Sequence, residues 1–251
     1  RQALVAGFRG VDTANQRKHY VEAGVGEAIA ASVSDGLLRR EELFLQTKFT
    51  YRGGQDHRLP YDPQASLSSQ VSQSFESSLA HLKTSYIDSY VLHGPMYRRG
   101  LSEADIEVWR AMERIHADGH AKLLGVSNVN LDQLRKLVSL ATTRPAFVQN
   151  RCYAKLGWDR EVRHFCRDHG IVYQAFSLLT ANRNAFKLPA FREVVGRHGR
   201  SPAEIVFRFA IQRGMLPLTG TSCSEHMALD LACERFELTV NELDQLEIFA
   251  V

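Results

Sequence analysis

Four residues carry side chains that could move or steer a proton, and each stands at or beside the end of an apolar run. Asp12 ends F-R-G-V-D, Lys48 ends L-F-L-Q-T-K, His93 ends Y-V-L-H before Gly94-Pro95, and Tyr20 opens the amphipathic stretch after Asp12. A carboxylate beside an ammonium fixes and charges it. An ammonium beside a phenol favours the phenolate and brings a tyrosine, ordinarily titrating near pH ~10, toward use as a proton donor. A histidine at hydrogen-bond range can orient the oxygen that receives the proton. Taken singly, Asp12 would serve as a helix cap, Tyr20 and Lys48 as surface groups, and His93 as a turn residue. Their shared placement favours the chemistry: in a parallel α/β barrel all strand C-termini open on one face, where active sites sit.

The elements that must deliver these residues are legible in the hydrophobic pattern. Strand candidates lie at 8–13, 43–49, 86–93, 122–127, 147–151, 171–177 and 215–220, mostly apolar on both faces. Between them run helical patterns. Val21, Val25, Ile29 and Val33 repeat every fourth residue before Gly36, and Leu67, Val71, Phe75, Leu79 and Leu82 form a longer stripe. Ser102 and Asp105 precede Ile106, Trp109, Met112 and Ile115, with Gly119 as the stop. Ser201-Pro202-Ala203-Glu204 and Thr239 with Glu242 are capping boxes. The alternation predicts an α/β fold on a parallel sheet, one domain over residues 1–251. Residues 50–63 and 178–187 read as long polar loops after strand ends.

These strings, in order, resemble the aldo-keto reductase family. G-F-R-G-V-D-T-A, Y-V-E-A-G-V-G-E-A-I, Q-T-K-F and Y-V-L-H-G-P are followed by G-V-S-N, V-Q-N, A-F-S-L and P-L-T-G-T-S, so the likeness spans nearly the whole chain. The resemblance implies a (β/α)8 TIM barrel and an NAD(P)H-dependent oxidoreductase that reduces aldehydes or ketones to alcohols. Asp12, Tyr20, Lys48 and His93 would be its catalytic tetrad, with Tyr20 the proton donor. Ser127, Asn128 and Gln149 would cradle the nicotinamide amide. Phe176 stands where the family commonly stacks a tyrosine on the nicotinamide, and Ser177 and Leu178 lead toward the pyrophosphate. Thr219, Gly220, Thr221, Ser222, His226 and Asp230 would meet the adenosine end. The family often reads Pro-Lys-Ser there, with an arginine farther on; here those cations are absent, which favours NADP only weakly and leaves NAD open. Gly94 replaces a frequent bulky aromatic and would widen the substrate pocket.

The barrel expected of the family has eight strands and the pattern supplies seven. Arg1 to Ala6 read as a helix tail closed by Gly7, so the first strand is expected to be missing, as is the C-terminal tail beyond Ile248-Phe249-Ala250-Val251. An incomplete barrel would leave open strand edges and invite association. Two other readings follow: a cofactor-binding regulatory or sensor barrel with little turnover, and an inactive fragment.

Composition fits a globular protein. Among 251 residues 44% are hydrophobic and 24% charged, with a net charge of +3 and no long basic run, which argues against nucleic acid as partner. No apolar run is long enough to span a bilayer. Cys152, Cys166, Cys223 and Cys233 lack metal or disulfide spacing. His116 and His120 are separated by the breaker Gly119, and His164 and His169 lack a third ligand, so no metal site is expected. The expectation is a cytoplasmic protein, monomeric at full length, acting on a small carbonyl compound.

Overall fold

The structure is a computed structural model that describes residues 1–248. The reading of the chain end at Phe249-Ala250-Val251 lies outside the described residues. By contact the chain divides into two compact units, one of Arg1 with Ala3–Phe147, the other of Gln2 with Val148 onward.

The first unit opens with the short helix α1 (Gln2–Ala6), which Gly7 closes at φ 116, the left-handed conformation that glycine adopts at no steric cost. Four strands follow: β1 (Gly10–Asp12), β2 (Phe44–Phe49), β3 (Ile87–Leu92) and β4 (Ala121–Ser127). They pair in parallel and in chain order, with Asp12 opposite Gln46 and Lys48 opposite Val91. All six residues of β3 are buried, as a strand covered on both faces requires. The crossovers are α2 (Glu22–Ser34), α3 (Leu67–Leu82), α4 (Glu103–Ala117) and α5 (Leu131–Leu140). Ser66 caps α3, Ser102 and Asp105 form the capping box of α4, and Asn130 with Gln133 form that of α5.

The buried face of α2 departs from the valine stripe expected of it. Val21 is exposed and precedes the helix, Val33 is exposed, and the buried positions are Glu22, Gly26, Ile29 and Ser32. The cause is close packing against α3. A Cβ on Gly26 would stand 2.0 Å from the His81 carbonyl oxygen, so small residues face α3 and the valines are turned outward.

In the second unit β5 (Phe147–Arg151, beginning at the boundary), β6 (Val172–Phe176) and β7 (Met215–Pro217) alternate with α6 (Arg160–Asp168), α7 (Pro189–His198) and α8 (Pro202–Gln212). Then come α9 (Ser224–Ala232) and α10 (Val240–Glu247). Strands β6 and β7 are parallel, with Tyr173 opposite Met215. The capping boxes at Ser201 and Thr239 form as the pattern predicts. Gly157, Trp158 and Asp159 are consecutive left-handed residues, at φ 68, 55 and 56. Buried Trp158 donates its indole N–H to the Leu246 carbonyl at 2.8 Å, and Asp159 accepts from Asn150 and Tyr173. These contacts hold a backbone that is otherwise costly for residues with a Cβ.

Seven strands are thus described, six within the spans read from the sequence and β4 beginning one residue earlier, at Ala121, and the class is α/β with the strand–helix order of an incomplete (β/α)8 barrel.

Candidate functional site

In the first unit the strand ends bring Asp12, Lys48 and His93 together with Tyr20. Asp12 is the last residue of β1 and Lys48 the penultimate residue of β2. The Lys48 ammonium donates to both Asp12 carboxylate oxygens, at 2.6 and 2.7 Å, and to the Thr13 carbonyl at 2.8 Å. Its side chain has no exposed surface, while that of Asp12 retains 22%. Burial drives the Lys48 ammonium below its ordinary range; the Asp12 carboxylate opposes this, through charge and hydrogen bond, and Glu22 adds to that opposition.

Tyr20 lies just before α2, and its ring is near both partners. The Lys48 ammonium stands 5.5 Å from the ring centroid, and the His93 ring lies edge-on at 6.0 Å. The expectation that Lys48 lowers the Tyr20 phenol is corrected here. Burial, then the Asp12 carboxylate, pushes that phenol above its usual range. The physical reason is the burial of the phenol beside the Asp12 carboxylate, with the Lys48 donors turned to Asp12 and Thr13.

His93 follows β3 and is anchored by its backbone N–H to the Phe49 carbonyl at 2.9 Å. Its Nδ1 shares a hydrogen bond of 2.7 Å with the Thr50 hydroxyl. Burial, and next the Lys48 charge, push the imidazole down to about 4, so it is uncharged at neutral pH. Thr50 was not among the residues expected at the site. Its signal was strand alternation: in K-F-T, Lys48 and Thr50 are two apart and share a face.

Ser127 ends β4, fully buried, and Asn128 follows at φ 54. Asn128 donates its amide to the His93 carbonyl at 2.8 Å and to the Ser127 hydroxyl at 3.1 Å, leaving Oδ1 as its remaining acceptor. Gly94 is packed here as well: a Cβ on it would meet the Asn128 Cβ at 3.4 Å, an ordinary contact. Glu22 and His81 were also missed, because a glutamate in the first turn of a helix reads as solvated; only packing shows it buried.

In the second unit Gln149 sits in the middle of β5 and donates to the Gln174 side chain at 2.9 Å. Phe176 ends β6 half-buried, Ser177 takes φ 58, and Leu178 is buried behind them. After β7 the segment carrying Thr219, Gly220, Thr221 and Ser222 leads to α9. The Thr219 hydroxyl donates to Asp230 at 2.7 Å, and the Cys223 N–H donates to the Thr221 hydroxyl at 3.1 Å. Burial raises the Asp230 carboxyl. His226 is exposed on α9, whose N-terminus carries no side-chain cap. No lysine or arginine stands between Arg213 and Arg235.

The Aldo/keto reductase family model matches residues 1–250. An aldo-keto reductase of Mycolicibacterium smegmatis is 31% identical over 244 residues, covering 97% of this chain and 78% of the relative. The uncharacterized oxidoreductase YtbE of Bacillus subtilis is 27% identical over 247 residues, covering 98% and 81%. Among solved structures, an aldo/keto reductase from Brucella melitensis superposes with a TM-score of 0.80 at 26% identity, over 99% of this chain and 87% of that one. The Bombyx mori aldo-keto reductase AKR2E4 in complex with NADP gives a TM-score of 0.81 at 26% identity, over 99% and 80%.

Proposed function

The chain belongs to the aldo/keto reductase family, and on that premise we propose that it reduces a small aldehyde or ketone to an alcohol with NADPH. The observation that carries this reading is the buried Asp12–Lys48 pair beside Tyr20 and an uncharged His93. No side chain supplies a hydride; a bound nicotinamide does. Tyr20 gives the proton to the carbonyl oxygen. Assigning the Thr50 hydroxyl as donor to His93 Nδ1 leaves Nε2–H as the donor that orients that oxygen. Asp12 holds Lys48 in place and opposes the burial that disfavours its charge.

Each unit by itself holds residues suited to a nicotinamide. Asn128 is held by its own amide donors with an acceptor to spare for a carboxamide N–H, and Ser127 stands next to it. In the second unit Gln149 offers a buried amide, and Phe176 a half-buried ring able to stack; Ser177 and Leu178 lie next along the chain. Thr219, Gly220, Thr221, Ser222, His226 and Asp230 fit the adenosine end through hydroxyls and backbone N–H groups at the start of α9, without a cation for the 2′-phosphate. NADPH is therefore favoured only slightly over NADH.

The test is loss of absorbance at 340 nm with NADPH and an aldehyde panel. Turnover abolished by Tyr20→Phe supports the reading, and no turnover with any carbonyl sinks it. A second reading, a cofactor-binding barrel with little turnover, is favoured by the raised phenol of Tyr20. NADPH binding by fluorescence without consumption would establish it.

A further inference from the structure

Glu22 opens α2 two residues after Tyr20, yet its side chain is buried, only 4% exposed. One carboxylate oxygen accepts from the Thr47 hydroxyl at 2.5 Å. The other accepts from His81 Nδ1 at 3.0 Å, and His81 Nε2 in turn lies 3.4 Å from the Arg17 guanidinium. A four-residue chain thus runs from Arg17 on the surface, through α3, to the strand residue next to Lys48. Side chains alternate along a strand, so Thr47 and Lys48 face opposite sides of β2. Glu22 therefore grips β2 from behind the position that presents Lys48. Besides His81 and Arg17, Tyr90 of β3 lies within electrostatic reach of Glu22, Tyr20 and Arg58 line a 260 Å³ cleft with it, and Lys48 lies within electrostatic reach from the other face of β2. One turn along α2, Gly26 packs closely against the α3 backbone at His81 and Leu82.

We propose that Glu22 is a positioning residue that ties the Tyr20 segment to the Lys48 strand and supplies a second negative charge to the Lys48 ammonium. This rests on the carbonyl-reductase reading for its consequence in turnover, and, for the coupling to Lys48, on the Glu22–Thr47 contact one residue away along β2. Lys48 is buried with one carboxylate in contact, and a second carboxylate nearby adds to the field that opposes loss of its proton. A merely structural Glu22 would support the fold without moving the titration of Lys48.

The experiment uses the whole chain labelled with 13C at the lysine side chains. The Lys48 titration is followed by NMR in the wild type, Glu22→Gln and Thr47→Val, and kcat against pH is measured with NADPH and an aldehyde. Circular dichroism checks that each variant folds. Glu22→Gln keeps the shape and removes the charge. It should shift the Lys48 titration and the alkaline limb of kcat to lower pH together, by about half a unit or more, with KM for NADPH unchanged. Thr47→Val keeps the charge and breaks the tie; it should lower kcat severalfold at all pH and leave the Lys48 titration in place. Glu22→Asp should recover the titration of Lys48. An unmoved Lys48 titration in Glu22→Gln overturns the coupling, and a wild-type kcat in Thr47→Val overturns the tie. Absence of turnover in the wild type would instead defeat the reductase reading, while the NMR titration still decides whether Glu22 acts on Lys48.

Discussion

The Lys48 ammonium donates to both oxygens of Asp12, at 2.6 and 2.7 Å, from a side chain with no exposed surface. This pair is the electrostatic centre of the first unit. Its charge and hydrogen bonds oppose the burial that lowers the lysine's proton affinity.

Tyr20→Phe should leave NADPH binding within about twofold of wild type and reduce kcat by about 10²–10⁴-fold, the usual cost of removing a proton donor. Stopped-flow absorbance and fluorescence titration measure the two quantities. A variant that keeps most of kcat would show that another group donates the proton.

Asp12→Asn leaves the Lys48 ammonium without its counter-charge. Breaking a buried pair commonly costs about 3–5 kcal/mol, and the partial exposure of Asp12 brings the expected loss to roughly 3 kcal/mol. The folded state would then hold Lys48 well below its unfolded value, so between the two the unfolded chain binds more protons and the stability of the variant rises with pH. Urea unfolding at pH 7 and pH 9 tests this. Equal losses at both would mean that Lys48 had already given up its proton.

His93 titrates near 4 in the folded chain, against an ordinary value near 6.5. Here too the unfolded chain binds more protons between the two values, so this residue makes stability fall as pH drops from about 6.5 to about 4. Below that the penalty is complete. His93→Gln should flatten this part of the curve of Tm against pH. An unchanged slope would assign it to other groups.

Titrating intrinsic fluorescence should give NADPH and NADH dissociation constants within about tenfold of each other, because the segment from Leu218 to Asp230 holds no lysine or arginine. Leu218→Lys should then tighten NADPH and leave NADH unchanged. A strong NADPH preference in the wild type would mean that a cation from elsewhere in the chain reaches the phosphate.

Gly26→Ala should be among the most damaging single changes outside the tetrad. Its Cβ would meet the His81 carbonyl at 2.0 Å and the Leu82 Cα at 2.7 Å, both backbone atoms that cannot rotate away. Forcing α2 and α3 apart should cost about 1–3 kcal/mol or more by chemical denaturation. It should also disturb the Glu22–His81 contact.

The sequence by itself determined the order of the elements and the identity of the residues at the strand ends. Apolar runs covered on both faces, separated by capped amphipathic stretches, admit little besides parallel strands with helical crossovers, and Asp12, Lys48 and His93 were visible because each ends or follows such a run. Even the left-handed turn at Gly7 was legible, since glycine after a helix has a local steric reason. The tertiary structure decided what depends on neighbours distant in the chain. Whether Lys48 acts on Asp12 or on Tyr20 is a matter of where three side chains converge. The same holds for the Thr50 contact that orients His93, and for the burial of Glu22 against Thr47 and His81. The outward turn of the α2 valines follows from the approach of α3 at Gly26, a backbone contact between residues 55 apart. Periodicity reports which residues are apolar. Burial, charge compensation and proton affinity are set by what packs against them.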